Sequence, residues 1–141
     1  MISVQIWILW VHILAVAAWL GGAMTSLVAI LPADGEARVA AARRVHFFSS
    51  RAMEVVVITG LLNVVIKGME SNFALSVGFF AMLSLKMALL AVMGGLQIWM
   101  GLAWKRPDAA DAAARRARIG LWLQSLLGAV AVLLGLGLRA V

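Results

Sequence analysis

Four stretches of this chain, residues 4–31, 46–66, 73–104 and 119–138, are long runs of mostly apolar side chains. About 20 such residues let an α-helix cross the hydrocarbon core of a bilayer, and each run reaches that length. The 141 residues are 65% hydrophobic and only 13% charged, with a mean hydropathy of +1.04. A soluble domain of this size has no core large enough to bury so much apolar surface. Membrane β-strands would alternate polar and apolar side chains, and these runs do not. The expectation is an all-α integral membrane protein: a single domain over residues 1–141, built as a four-helix bundle in a lipid bilayer with no extramembrane domain.

The first run also carries Ala15-Val16-Ala17, which fits the small-x-small pattern of a signal-peptide cleavage site. No Lys or Arg precedes it, and the run is about twice the length of a signal's apolar region. The segment is therefore expected to remain as the first helix. Cysteine is absent, which excludes disulfides, iron–sulfur clusters and thiolate metal sites.

Cations set the orientation. With four spans, Arg38, Arg43, Arg44 and Arg51 fall in or just after the first connection, and Lys105, Arg106, Arg115, Arg116 and Arg118 in the third. Lys67 and Arg139 lie on the other side. The positive-inside rule then makes segments 32–45 and 105–118 cytoplasmic and puts both termini outside. The net charge of +6 is thus a topology signal. It is no nucleic-acid footprint, since there is no soluble domain to present one. "KRPDAADAAARRAR" reads as a short surface helix with Asp108 and Asp111 at its start and arginines at its end, matching the helix dipole.

Small residues recur four apart at Ala17/Gly21, Ala18/Gly22, Ala91/Gly95 and Ala131/Gly135, a spacing that lets membrane helices approach closely. Trp7, Trp10, Trp104 and Trp122 lie near span ends, where an amphipathic ring is favoured. Trp19 does not, being near the middle of its run.

Polar side chains inside spans are costly in hydrocarbon and are candidates for function. They are His12, Arg51, Glu54, Asn63, Lys86, Gln97 and Gln124. At 1.5 Å per residue from each span's midpoint, His12 falls roughly 8 Å and Lys86 roughly 3 Å toward the outer side, so one layer can hold both. Met82, one turn before Lys86 on the same face, is about level with His12. His46 lies on the order of 20 Å or more from His12, at the cytoplasmic mouth of the second span. It reads as an interfacial residue beside Arg43 and Arg44, and the two histidines cannot ligate one iron.

His12 has two readings, a hydrogen-bond donor to a neighbouring helix or a ligand to haem iron or copper. Lys86 must pair, lose its proton or reach a wet cavity, and as a neutral amine it can ligate a metal or carry a proton. Arg51 and Glu54, three apart, read as an ion pair within the helix. Alternatively Arg51 binds an anionic group such as a porphyrin propionate or lipid phosphate, leaving Glu54 to pair with Lys86. Gln97 and Gln124 are expected to hydrogen-bond between helices.

The pattern His12, Trp19, Gly22 resembles the H-x6-W-x-x-G motif of HemJ-type protoporphyrinogen oxidases. "LKM" around Lys86 is similar to the lysine of that family's third helix, and Met53-Glu54 and Gly60 fall on its second-helix pattern. "FFSSRAMEVVVITGLLNVV" resembles the copper-resistance D membrane domain through Phe48-Ser49, Arg51 and Thr59-Gly60, as does "LKMALLAVMGGLQ". The likeness covers the first three spans. It implies a b-type haem or porphyrin at the His12 and Lys86 positions, or copper handling, in a bacterial inner (cytoplasmic) membrane.

Three function classes follow. The first is a haem b protein passing electrons between quinone and a partner, a membrane oxidoreductase of the protoporphyrinogen oxidase type being one form of it. His12 and Lys86, or else Met82, would be its metal ligands, with Trp19 and Arg51 lining the cofactor. The second is copper transport, for which the eight methionines supply soft thioethers, though methionine also fills core gaps. The third is a cofactor-free structural subunit of a larger membrane complex or a homo-oligomer.

Overall fold

The computed structural model describes residues 4–32, 36–105 and 110–140, with side chains apart from those of 36, 110 and 137–140. Asp34, Arg106, Asp108 and the side chain of Arg139 lie outside the described residues. Four α-helices follow one another: α1 (Val4–Thr25), α2 (Glu36–Glu70), α3 (Val77–Ala103) and α4 (Ala110–Ala140). Each is long and apolar enough to cross a membrane, and the described residues contain no strand. A π-helical turn, Ser26–Ile30, extends α1, with Leu31 N–H donating to the Ser26 carbonyl over 2.9 Å.

Two helices start earlier than the apolar runs do. α2 begins at Glu36 and not near His46, and α4 at Ala110 and not near Ile119. The preceding segments, "EARVAAARRV" and "ADAAARRARI", are rich in alanine and arginine, both strong helix formers. Each spanning helix therefore starts in its own polar extension. The surface helix expected over 105–118 is the opening of α4. Arg38 bonds Asp111 over 2.9 Å and joins the two extensions.

The α2–α3 turn is closed by the backbone. Phe73 N–H donates to the Gly68 carbonyl (2.7 Å) and Asn72 N–H to that of Met69 (3.2 Å), with Asn72 in the left-handed region at φ 50°. This is a Schellman closure, in which asparagine substitutes for the usual glycine. The Phe73 ring folds back over Gly68, where a Cβ would stand 2.8 Å from it. Ser76 then caps α3, its hydroxyl accepting from Phe79 N–H at 3.1 Å, and Lys67 Nζ lies over the Phe79 ring at 4.9 Å.

α1 packs along α2, α3 along α4, and α1 also meets α4, whereas α2 and α3 touch little. The bundle is thus open along its α2–α3 seam. One apolar cluster, with Ala23, Leu31, Ala42, Met100 and Leu121, fills the end carrying the α1–α2 and α3–α4 connections. A second, with Trp19, Ala52, Met53, Met93 and Ala131, draws on all four helices near the middle. Trp104 belongs to the first cluster at 6% exposure and is no belt residue. It ends α3 where the chain turns back, among alanines of α4. Trp7, Trp10 and Trp122 are exposed, as a belt requires.

Two of the four small-residue pairs pack within the bundle. A Cβ on Gly22 would meet Ser49 Oγ at 2.6 Å, and one on Gly135 would meet Lys86 Nζ at 3.1 Å. Ala17/Gly21 and Ala91/Gly95 face outward.

Candidate functional site

The middle of α2 supplies a hydroxyl whose hydrogen is already committed. Thr59 Oγ1 donates to the Val55 carbonyl over 2.6 Å, the usual back-bond of a helical threonine. What remains on that oxygen is acceptor capacity, and His12 Nδ1 stands 2.9 Å away. The tautomer that fits this geometry carries its proton on Nδ1, and Nε2 is then the ring nitrogen available to a ligand. The ring lies against α2 at Gly60, where a Cβ would stand 3.4 Å from His12 Cε1.

Register brings Lys86 to the same level. α1 and α4 run antiparallel, and the Trp19 ring rests on Gly128. His12, seven residues before Trp19, is thus level with Gly135, seven after Gly128. Lys86 is half-buried, and its Nζ occupies the space opened by Gly135. No carboxylate lies within ion-pair distance of it among the described residues. Met82 is half-buried one turn before it. The apolar clusters end one to two turns short of this layer, at Trp19, Leu89 and Ala131.

Other sequence candidates lie elsewhere. Trp19 is 3% exposed in the mid-bundle cluster, two turns from His12 on the same face, so it floors the His12 layer from below. Its Nε1 is a buried donor without a partner. Arg51 is exposed and bonds both Glu54 oxygens, at 2.7 and 3.0 Å, while stacking on Phe47. The helix-internal ion pair is therefore the reading observed, and Glu54 is not the partner of Lys86.

A second polar cluster lies two to four turns away along α2. Gln124, 1% exposed, donates from Nε2 to Gln97 Oε1 (2.7 Å) and to the Met93 carbonyl (3.1 Å). Gln97 donates in turn to Ser50 Oγ at 2.9 Å and lies 3.5 Å from His46 Nδ1. The expected interhelical glutamine bonds are present. His46, expected as an interfacial residue beside Arg43 and Arg44, is half-buried and turns toward the end of α3, where a Cβ on Gly101 would stand 2.8 Å from its Nε2. Beside it an open groove of about 760 Å³ runs along the α2–α3 seam, lined by His46, Phe47, Glu54, Gly94, Gln97 and Lys105 among others. No motif signalled this groove. Its one trace in the sequence is the pair Gly94 and Gly101, seven apart on one face of α3.

No protein-family model matches the chain, and neither does a curated protein or a solved structure. Among the described residues no three His, Cys, Asp or Glu side chains gather to hold a metal ion.

Proposed function

We propose that this chain holds a b-type haem within the membrane, in the service of electron transfer: His12, through Nε2, and Lys86, or else Met82, would hold its iron. The observation that carries this reading is the committed hydroxyl of Thr59. It turns the His12 proton to Nδ1 and leaves Nε2 as the free donor, the second-shell arrangement that orients ligand histidines. Two further features support it. Lys86 shares the layer with no acid to hold its charge. The apolar clusters stop short of that layer.

Haem, when bound, supplies one-electron chemistry. The chain's own part is to fix the ring of His12, present Lys86 across the layer and floor it with Trp19. The likeness of helices one to three to HemJ-type and copper-resistance D proteins agrees with this reading. So does a bacterial inner-membrane location, the arginine-rich ends of α2 and α4 facing the cytoplasm, with quinone or porphyrin as candidate partners.

The test is the absorbance spectrum and metal content of protein purified from haem-supplied cells. Wild type should show a Soret band, and His12→Ala should abolish it while still inserting. Lys86→Met should keep some haem with a shifted spectrum and a raised potential, because a thioether axial ligand raises it. A colourless wild type, or one carrying stoichiometric copper and no Soret band, overturns the reading.

A further inference from the structure

The Arg51–Glu54 pair lies well inside a helix that crosses the bilayer, yet its two side chains are 62% and 56% exposed. Neighbours on its own helix, Ala52 and Met53, are buried in the mid-bundle cluster. The pair therefore occupies the opposite side of α2, where lipid tails would be its surroundings. Charged groups in spanning segments almost always face protein or a water-filled cavity. Within this chain no helix covers that side, and Arg51 does not border the open groove that Glu54 reaches. α2 is packed along α1, but its other flank borders the open α2–α3 seam, whose groove Glu54 itself lines.

We propose that a second copy of this chain covers this face, α2 against α2 about a two-fold axis along the membrane normal. Such an interface presents the same patch twice, so each residue must meet a complement drawn from its own sequence. Arg51 and Glu54 meet that demand. They differ in height by about 4.5 Å along the helix, within reach of an arginine side chain, so each guanidinium can meet the other copy's carboxylate in two equivalent exchanges. Around them Phe48, Val55, Ile58 and Leu62 are exposed at spacings of three, four and seven from the charged pair's turn and from one another, a ridge continuous enough to form a helix–helix seam. A partner of different sequence would need a matching acid and base at this depth. A second copy has them by construction.

The absence of cysteine makes the test clean. Full-length protein in native membranes, carrying Val55→Cys or Ile58→Cys, should form a disulfide-linked dimer on mild oxidation. Leu133→Cys, exposed on α4, should not. Arg51→Glu and Glu54→Arg, each expressed alone, should lose the cross-link of a companion Val55→Cys. Expressed together with different tags, they should recover it as a mixed pair, since one copy then offers two acids and the other two bases. An ion pair serving only its own helix cannot give that recovery. Monomeric Val55→Cys and Ile58→Cys proteins overturn the proposal, as do single charge variants that cross-link like wild type. Should the charge variants fail to accumulate, the two cysteine positions on α2 against the one on α4 decide it.

Discussion

The six-membered ring of Trp19 rests on the backbone of Gly128, where a Cβ would stand 3.0 Å from Cζ3 and 3.2 Å from Cη2. This contact joins α1 to α4 and fixes the register that makes His12 level with Lys86. Gly128→Ala should cost about 1–3 kcal/mol in unfolding in mild detergent, the range for overpacking a filled core. Gly128→Val should cost more and weaken haem binding in the same protein. An alanine variant as stable as wild type would mean that the indole does not set the helix separation.

Thr59 offers a sharper test of the site. Thr59→Val keeps the shape but removes the oxygen that accepts from His12, so haem affinity should fall about 10- to 100-fold, as for other second-shell deletions. Thr59→Ser should recover most of it. Titration of apoprotein with haem, followed by absorbance, reads both. Equal losses in the two variants would assign Thr59 to packing alone.

The glutamine chain has a stability role that can be measured apart from any cofactor. Gln124→Leu removes the donor to Gln97 and to the Met93 carbonyl, and interhelical hydrogen bonds in membranes are worth about 0.6–2 kcal/mol. Unfolding free energy should fall by that order while the haem spectrum is unchanged, because the chain lies in another layer of the bundle.

Topology follows from the cations. A reporter active only outside the cytoplasm should be active when fused after Val141 and silent when inserted among residues 106–109. The reverse pattern would mean that the arginines of α2 and α4 do not face the cytoplasm.

Much of this was legible from residue order because the relevant physics is local or periodic. The apolar runs foretold four helices, Arg51 and Glu54 foretold their own pairing at i,i+3, and a rise of 1.5 Å per residue brought His12 and Lys86 to one layer. The readings that failed were those that depend on which neighbour a helix face meets. Trp104 lies at a span end yet is buried, because α4 folds back over it. The early starts of α2 and α4 escaped because hydropathy marks where lipid begins, whereas alanine and arginine carry the helix past that point. The α2–α3 groove had no periodic signature, since it is made by what two helices fail to touch.

The length of α2 has a bearing on the membrane itself. Its 35 residues make a rod of about 52 Å, against a hydrocarbon core of about 30 Å. A helix ending at the lipid boundary must tilt or strain the bilayer when thickness changes. Here helix continues beyond that boundary on α2 and α4, and exposed arginines, Arg43 and Arg44 on α2 and Arg115, Arg116 and Arg118 on α4, sit within about one turn of each. Long side chains on such a ladder can reach phosphates at several depths. Snorkelling arginines of this kind can follow a change of a few Å in headgroup level by changing rotamer, which asks nothing of the contacts between the helices.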